Sequence, residues 1–192
     1  MPMPMHPENF SRRLLFGLLI VCFLACAAAR TSATATVPEM GAFPSIQATS
    51  LDSQKLHLPQ DFSGKLNLVV ISFAREQQHQ VDTWIPVARE IQAAHSNFSY
   101  YELPTMSSEN ILYRWWFDAA LRSNTADKDM RRRILTAYVN QHKFLASLHI
   151  RDQKRPVAVL VDRTGKVFWR GDGSYSAQDK AELLSVLATS GI

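Results

Sequence analysis

The pattern of apolar and polar positions along the 192 residues predicts a series of short strands. Apolar residues alternate with polar ones on both sides of a turn at 52–54, which predicts a β-hairpin. Residues 66–73 are almost continuously apolar and rich in β-branched side chains, so they predict a parallel strand buried on both faces. Another strand is expected at 97–104. Segments 155–162 and 166–170 flank a short glycine-containing turn and therefore predict a second hairpin.

Other segments carry apolar residues at helical spacing. After the strand at 66–73 these residues are Val81, Trp84, Ile85, Ala88 and Ile91. Pro86 lies inside this pattern and is expected to kink the helix. Further along, residues 107–121 begin with two serines that suit a helix cap. A second helix is expected over about 127–148, with a stripe of Ile134, Tyr138, Leu145 and Leu148.

A final helix is expected after Ser176, which forms a partial capping box with Asp179. The predicted order is therefore hairpin, β, α, β, two helices, β, β, α. A parallel βαβ crossover followed by an antiparallel hairpin predicts an α/β fold of three layers, with a mixed central sheet and helices on both faces. This domain is expected over 45–192, with a helical insertion at about 105–150.

The N-terminus has the pattern of a targeting segment. Arg12 and Arg13 precede an apolar run from Leu14 to Ala29, and small residues follow it. Residues 1–30 are therefore predicted to be a signal peptide or, if uncleaved, a membrane anchor that contacts the bilayer through residues 14–29. In both cases the domain is expected to be exported, to the periplasm or the extracytoplasmic face of a membrane. Residues 31–44, rich in Thr, Ala and Pro, are expected to form a linker.

The chain has two cysteines, Cys22 and Cys26, and both lie in the targeting segment. Residues 23–26 match a bacterial lipobox in part, so Cys26 is a candidate for lipidation, against ordinary cleavage or retention as an anchor. The domain that follows holds no cysteine. It is therefore expected to form no disulfide, thiolate nucleophile or cysteine metal site.

Charge and histidine spacing exclude two further classes of ligand. The net charge is +4, and the one dense basic run, at 131–133, suits a solvated helix face, so nucleic-acid binding is not expected. His142 and His149 lie two helical turns apart, which is roughly 10 Å and too long for one metal ion without a third ligand. We expect no metal site and no cofactor.

Two sequence anchors, together with the order of elements, resemble the thioredoxin fold and more narrowly its redoxin-like extracytoplasmic branch. In the first anchor, Gly-Lys precedes the central strand and Phe73 ends it. In the second, at 155–170, a proline-led strand leads to an Asp-x-x-Gly-Lys turn. Redoxins typically continue from the phenylalanine with four residues, Cys, two residues, Cys, four residues and Pro. Phe73 and Pro86 fall in this register, and the two cysteine positions hold Gln78 and Val81.

These substitutions remove the chemistry of the redox relatives. A redoxin needs a thiolate of low pKa at the helix start and a second thiol that resolves the mixed disulfide. Gln78 cannot ionise and Val81 has no reactive atom, so no catalytic residue is expected. A peroxidase is excluded on the same ground.

Some members of this fold lack the cysteines. The segments 138–152 and 157–173 resemble the thioredoxin-like family that assists assembly of the mitochondrial ATP synthase, and its bacterial relatives. The resemblance implies a non-catalytic assembly factor, or chaperone, with a membrane-associated protein client. The alternatives are a redoxin-type oxidoreductase that acts with a partner's cysteine, a hydrolase that uses His79 with Glu76, or a purely structural member of a complex.

The candidate binding residues lie in the former active-site loop, which contributes Arg75, Glu76, Gln78, His79 and Val81. Its polar side chains either bind a peptide or an anion, or only solvate and cap the helix.

Two other places complete the candidate site. The resemblance puts Pro156 where a cis-proline faces the active site, and if this bond is cis, an extended peptide could pair with the backbone at Arg155. Trp115 and Trp116 are adjacent on a predicted helix and cannot face the same way. One of them is expected to be exposed as a partner contact, unless the insertion buries both.

Overall fold

The structure is a computed structural model, and it describes residues 40–107 and 127–191. The strands are β1 (Ile46–Ser50), β2 (Lys55–Leu58), β3 (Leu66–Ser72), β4 (Phe98–Ser107), β5 (Leu135–Val139), β6 (Val157–Asp162) and β7 (Val167–Asp172). The helices are α1 (Gln78–Asp82), α2 (Ile85–Ala94), α3 (Lys128–Arg133), α4 (Gln141–Ser147) and α5 (Ala177–Thr189), and a 3-10 turn at Arg75–Gln77 precedes α1. The seven strands form one mixed sheet in the order β2-β1-β5-β4-β3-β6-β7. The predicted α/β class is confirmed.

Strand β3 is the centre of the sheet, and all of its residues are buried. It pairs in parallel with β4 and antiparallel with β6. Its side chains alternate between two apolar clusters, so that Val69 packs with one and Val70 with the other. The cluster around Val70 includes Trp84 from the α1–α2 connection and Leu183 from α5. Burial on both faces explains why this strand is almost continuously apolar.

The elements with clear local signals form as expected. Strands β1 and β2 make the first hairpin, and β6 and β7 make the second. The hydroxyl of Ser176 accepts a hydrogen bond from the Asp179 amide and the Asp179 carboxylate accepts one from the Ser176 amide, which completes the capping box of α5.

The prediction of one helix over 127–148 is wrong. This segment contains α3, β5 and α4, and β5 lies in the sheet between β1 and β4. Leu135, Ala137 and Val139 pack in the same apolar cluster, which is the period of two expected of a strand. The apparent helical stripe arose because Ile134 and Leu148 are also buried, but they flank β5 and α4 instead of sharing one helix face. The insertion is therefore mixed in structure, and the helix expected at 107–121 lies outside the described residues apart from Ser107, which ends β4.

Pro86 does not kink a continuous helix. Helix α1 ends at Asp82 and a new helix, α2, begins at Ile85, with Pro86 in its first turn. The missing N–H of proline costs nothing there, since the first amides of a helix have no partner within it.

The packed domain begins before Ser45, within the predicted linker. Phe43 is buried in the core, and its amide donates to the carbonyl oxygen of Gly165 at 2.8 Å. The signal peptide or anchor predicted for residues 1–30, and the candidate lipidation at Cys26, lie outside the described residues. Within 40–107 and 127–191, no helix is long and apolar enough to cross a membrane.

Candidate functional site

The junction between β3 and α1 holds the two positions that carry cysteines in redoxins. Gln78 is the first residue of α1 and its side chain is exposed, whereas Val81 is 1% exposed and packs in the core. Arg75, Glu76 and His79 are exposed around Gln78. One position therefore faces outward and the other inward, on the first turn of the helix.

The predicted capping and hydrolase roles of this loop find no support in its geometry. Neither the 3-10 turn nor α1 has a side-chain cap. The Nδ1 atom of His79 lies 2.8 Å from the backbone carbonyl oxygen of Glu76, so the ring contacts the backbone instead of the Glu76 carboxylate.

Pro156 lies beside the end of β3, because Val157 of β6 pairs with Ile71. Among the described residues the only cis peptide bond is Leu58–Pro59, so the Arg155–Pro156 bond, whose isomer the sequence left open, is trans. Pro156 is buried and its carbonyl oxygen accepts a hydrogen bond from the Gly173 amide at 2.8 Å, whereas Arg155 is exposed.

Gln77 holds these two parts of the site together. It is 5% exposed, and its Oε1 accepts a hydrogen bond from the Phe73 amide at 2.9 Å. Its Nε2 donates to the carbonyl oxygen of Gln153 at 2.6 Å, in the loop that leads to Arg155. A buried amide side chain must satisfy its polar atoms, so these bonds fix the α1 junction against the 151–156 loop.

A second tie runs through Trp84, which follows α1. The Trp84 Nε1–H donates to the carbonyl oxygen of Gly173 at 2.9 Å, and the ring packs edge-on against Trp169 and Tyr175. Since the Gly173 amide bonds Pro156, the α1–α2 connection and the start of β6 share one anchor. Trp115 and Trp116 lie outside the described residues.

The structure adds a group to the site that the sequence analysis missed. Glu102 on β4 is 5% exposed, and its Oε2 accepts a hydrogen bond from Gln78 Nε2 at 3.3 Å. The same Nε2 donates to Asp82 Oδ1 at 2.9 Å, so one neutral amide joins two carboxyl groups. Burial raises the pKa of Glu102 to about 7. The local signal was a single acidic residue in the otherwise uncharged segment 97–104.

In the part of the chain that the structure describes, no three His, Cys, Asp or Glu residues are grouped so as to hold a metal ion.

The βαβ crossover from β3 to β4, the β6–β7 hairpin and the final helix place this junction in a protein of the thioredoxin-like class. Solved structures agree with that class. BsSco, a member of the Sco family of cytochrome c oxidase assembly proteins, aligns with a TM-score of 0.56 at 13% identity over 79% of this chain and 95% of its own. An exposed lipoprotein thioredoxin of Streptococcus pneumoniae aligns with a TM-score of 0.53 at 13% identity, over 76% and 99%. At this identity the likeness concerns the fold alone.

The family is more specific. The chain belongs to the ATP10 protein family, whose model matches residues 40–189. A comparison with curated proteins gave no match.

Proposed function

We propose that this protein is a non-catalytic assembly factor that holds an extended segment of a membrane-associated protein client at the β3–α1 junction. The contact is made by the junction surface, which we define as the exposed side chains of Arg75, Glu76, Gln78, His79 and Arg155. Membership of the ATP10 family supports the assembly role.

The single observation that carries the proposal is that the thioredoxin-like fold is present without the thiols that redoxins use. Gln78 and Val81 keep the outward and inward orientations that a thiol pair would need, yet neither can exchange a disulfide. What remains at this place is a surface that can bind but cannot carry out redox transfer.

Hydrogen bonds from two buried side chains hold the junction surface in place. Gln77 bonds Gln153, and Trp84 bonds Gly173, whose amide bonds Pro156, so the segment that carries Arg155 is tied to the α1 region from both ends. Such pre-organisation lowers the entropy cost of binding a flexible segment. The side chains of the junction surface are polar and charged, which suits backbone and side-chain contacts to an extended peptide.

We further propose that the domain acts on the extracytoplasmic side of a membrane. The apolar run at 14–29, preceded by Arg12 and Arg13, supports export or anchoring. Lipidation of Cys26 is the other route by which the same segment would hold the domain at the membrane.

A site-specific cross-linking experiment tests the proposed contact. A photo-reactive amino acid is placed in the full chain at His79, at Arg155 or at Ser185, which is exposed on α5 and serves as the control. We expect irradiated membranes to give the same cross-linked membrane protein from His79 and Arg155, identified by mass spectrometry, and none from Ser185.

Equal cross-linking from all three positions, or none from His79 and Arg155, would contradict the proposed surface. The redoxin alternative is checked in parallel with a full chain that carries Cys22→Ser and Cys26→Ser. Reduction of insulin by that chain would show that the protein is an enzyme after all.

A further inference from the structure

A cleft opens beside the α1–α2 connection, against β4 and α3. It has a volume of about 400 Å³ and is lined by Asp82, Ile85, Pro86, Arg89, Glu102 and Met130. We call it the Glu102 cleft. Its volume lies within the range of about 300–1,000 Å³ that is usual for ligand sites.

Glu102 enters this cleft as a buried acid with spare capacity to accept hydrogen bonds. The side chain is 5% exposed, and its Oε2 accepts the bond from Gln78. A carboxylate has acceptor sites on both oxygens, and the single bond from the neutral Gln78 amide leaves capacity for a donor that enters the cleft.

The charges around the cleft select a cation. Asp82 lies at its rim and shares the Gln78 amide with Glu102. Arg89, the one cationic side chain among the described lining residues, is partly engaged: its Nε donates to the Tyr100 hydroxyl at 3.2 Å and its Nη2 lies 3.5 Å from Asp127. The cleft therefore presents two acidic groups and one cation, whose charge the exposed Asp127 offsets in part.

The remaining walls are apolar. Ile85 and Pro86 line one side from the start of α2, and Met130 lines another from α3. An aliphatic chain could lie along these residues while a polar head reaches the carboxyl groups. Lysine and arginine side chains have this construction, with a methylene stem and a cationic head rich in donors.

We propose that the Glu102 cleft binds a lysine or arginine side chain of the client, with its cationic head donating to Glu102 and Asp82 and its stem on Ile85, Pro86 and Met130. This inference rests on the proposed function, since it supplies a second contact for the same client. Gln78 belongs to the junction surface and donates to both carboxyl groups of this cleft, so one extended segment can engage the two together.

The cleft should bind its cation more weakly in acid. Burial raises the pKa of Glu102 to about 7, and the charged groups that face it are Asp82 from the end of α1 and Arg89 from α2. A protonated Glu102 loses its charge and with it most of its attraction for a cation. Since each unit of pH below the pKa removes about tenfold of the carboxylate, affinity should fall by about tenfold or more between about pH 8 and about pH 5.5.

The test is an NMR titration of the isotope-labelled full chain in detergent. The probes are the N-acetyl N-methylamides of lysine and arginine, with that of norleucine as an uncharged control of similar stem length. We expect saturable shifts of the Gln78 side-chain amide and of the Asp82 and Ile85 backbone amides with the two cationic probes only. Spermidine, added as a separate arm, distinguishes a general amine site from a peptide site.

The variants are matched. Glu102→Gln keeps the size and the acceptor for Gln78 but removes the charge, and should weaken binding at about pH 8 by at least about tenfold and abolish its pH dependence. Asp82→Asn should weaken binding less. Glu90→Gln, which removes an exposed carboxylate elsewhere on α2, should leave binding unchanged.

Equal binding of norleucine, no saturable shift with any amino-acid probe, tighter binding of spermidine than of both amino-acid probes, or full affinity in Glu102→Gln would overturn the inference. Cross-linking from His79 and Arg155 reports on the client independently. If that cross-linking persists while the cleft fails these tests, the proposed function stands and the cation site falls.

Discussion

Glu102 carries a carboxyl group in a strand whose neighbouring positions are buried. Burial raises its pKa to about 7, and Asp82 acts in the same direction, whereas the hydrogen bond from Gln78 and the charge of Arg89 oppose the rise. The folded state therefore holds this proton over a pH range in which the unfolded chain has already lost it. A group of this kind makes stability depend on pH with a definite sign.

Glu102→Gln should flatten that dependence. The folded pKa of about 7 lies above the unfolded value of 4.5, so the wild type loses stability as pH rises between these values. We expect the wild type to lose about 2 kcal/mol more than Glu102→Gln between about pH 5.5 and about pH 8, as measured by urea unfolding. Glu90→Gln serves as the exposed control and should follow the wild type. Identical pH slopes for wild type and Glu102→Gln would count against a raised pKa.

At the scale of single elements, sequence patterns predicted the structure where the signal is local. Strand β3 could be predicted because burial on both faces makes its sequence almost continuously apolar. Helix α5 could be predicted because its capping box lies within four residues. Strand β5 has no such signal. It is five residues long between two short helices, and what makes it a strand is pairing with β1 and β4, which are distant in the chain. Tertiary pairing decided its structure over local spacing.

The same limit applied to the site. Gln78 and Val81 could be placed from Phe73 and Pro86, which lie close by in the sequence. The contact of Gln78 with Glu102 could not be predicted, because it depends on the parallel register of β3 and β4. The isomer of the bond before Pro156 could not be predicted either, and in the structure it is trans.

Two leucine substitutions distinguish the observed strand β5 from the single helix predicted at 127–148. Leu135 is fully buried in β5, whereas Leu145 on α4 is only partly buried. Leu135→Ala should therefore lower the free energy of unfolding by about 2–5 kcal/mol, and Leu145→Ala by clearly less. Chemical denaturation of both variants gives the comparison. A larger effect at Leu145 would favour the single helix, in which Leu145 belongs to the buried stripe.

The geometry of α1 should permit the missing chemistry to be restored. In Gln78→Cys/Val81→Cys the first thiol is exposed and the second buried on one helical turn, as the junction requires. We expect a disulfide to form within the chain and measurable insulin reduction, in a background of Cys22→Ser and Cys26→Ser. Asp82 and Glu102 should slow the reaction, because nearby carboxylates disfavour the thiolate.

A matched pair, Gln92→Cys/His95→Cys, has the same spacing at the other end of α2 and should show no such activity. If both pairs are equally active or equally inert, Gln78 and Val81 do not occupy the positions of a redoxin pair.

At the scale of the whole described domain, the segment before β1 connects the end of α4 to the core. The Ala42 amide donates to the carbonyl oxygen of Ser147 at 2.8 Å, and Phe43 enters the core. Gly41 makes this approach possible. Its φ is +74°, and a Cβ at this position would lie 2.3 Å from the Ser147 carbonyl oxygen.

Gly41→Ala should therefore destabilise the domain by about 1–3 kcal/mol, because both the backbone conformation and the close approach resist a side chain. Gly191→Ala is the matched control: its φ is +71°, but nothing lies within 4 Å of the added atom. Thermal unfolding should show a clear loss for Gly41→Ala and a small one for Gly191→Ala. Equal losses would mean that packing of this segment contributes little.

The position of β5 between β1 and β4 also determines when the molecule can be completed during synthesis. The first hairpin is synthesised once Leu58 is made, but the strand that joins it to the rest of the sheet begins only at Leu135. During that interval β1 offers an unpaired edge to any neighbouring nascent chain. Until β5 pairs with β1, this edge is a place at which the incomplete chain can aggregate.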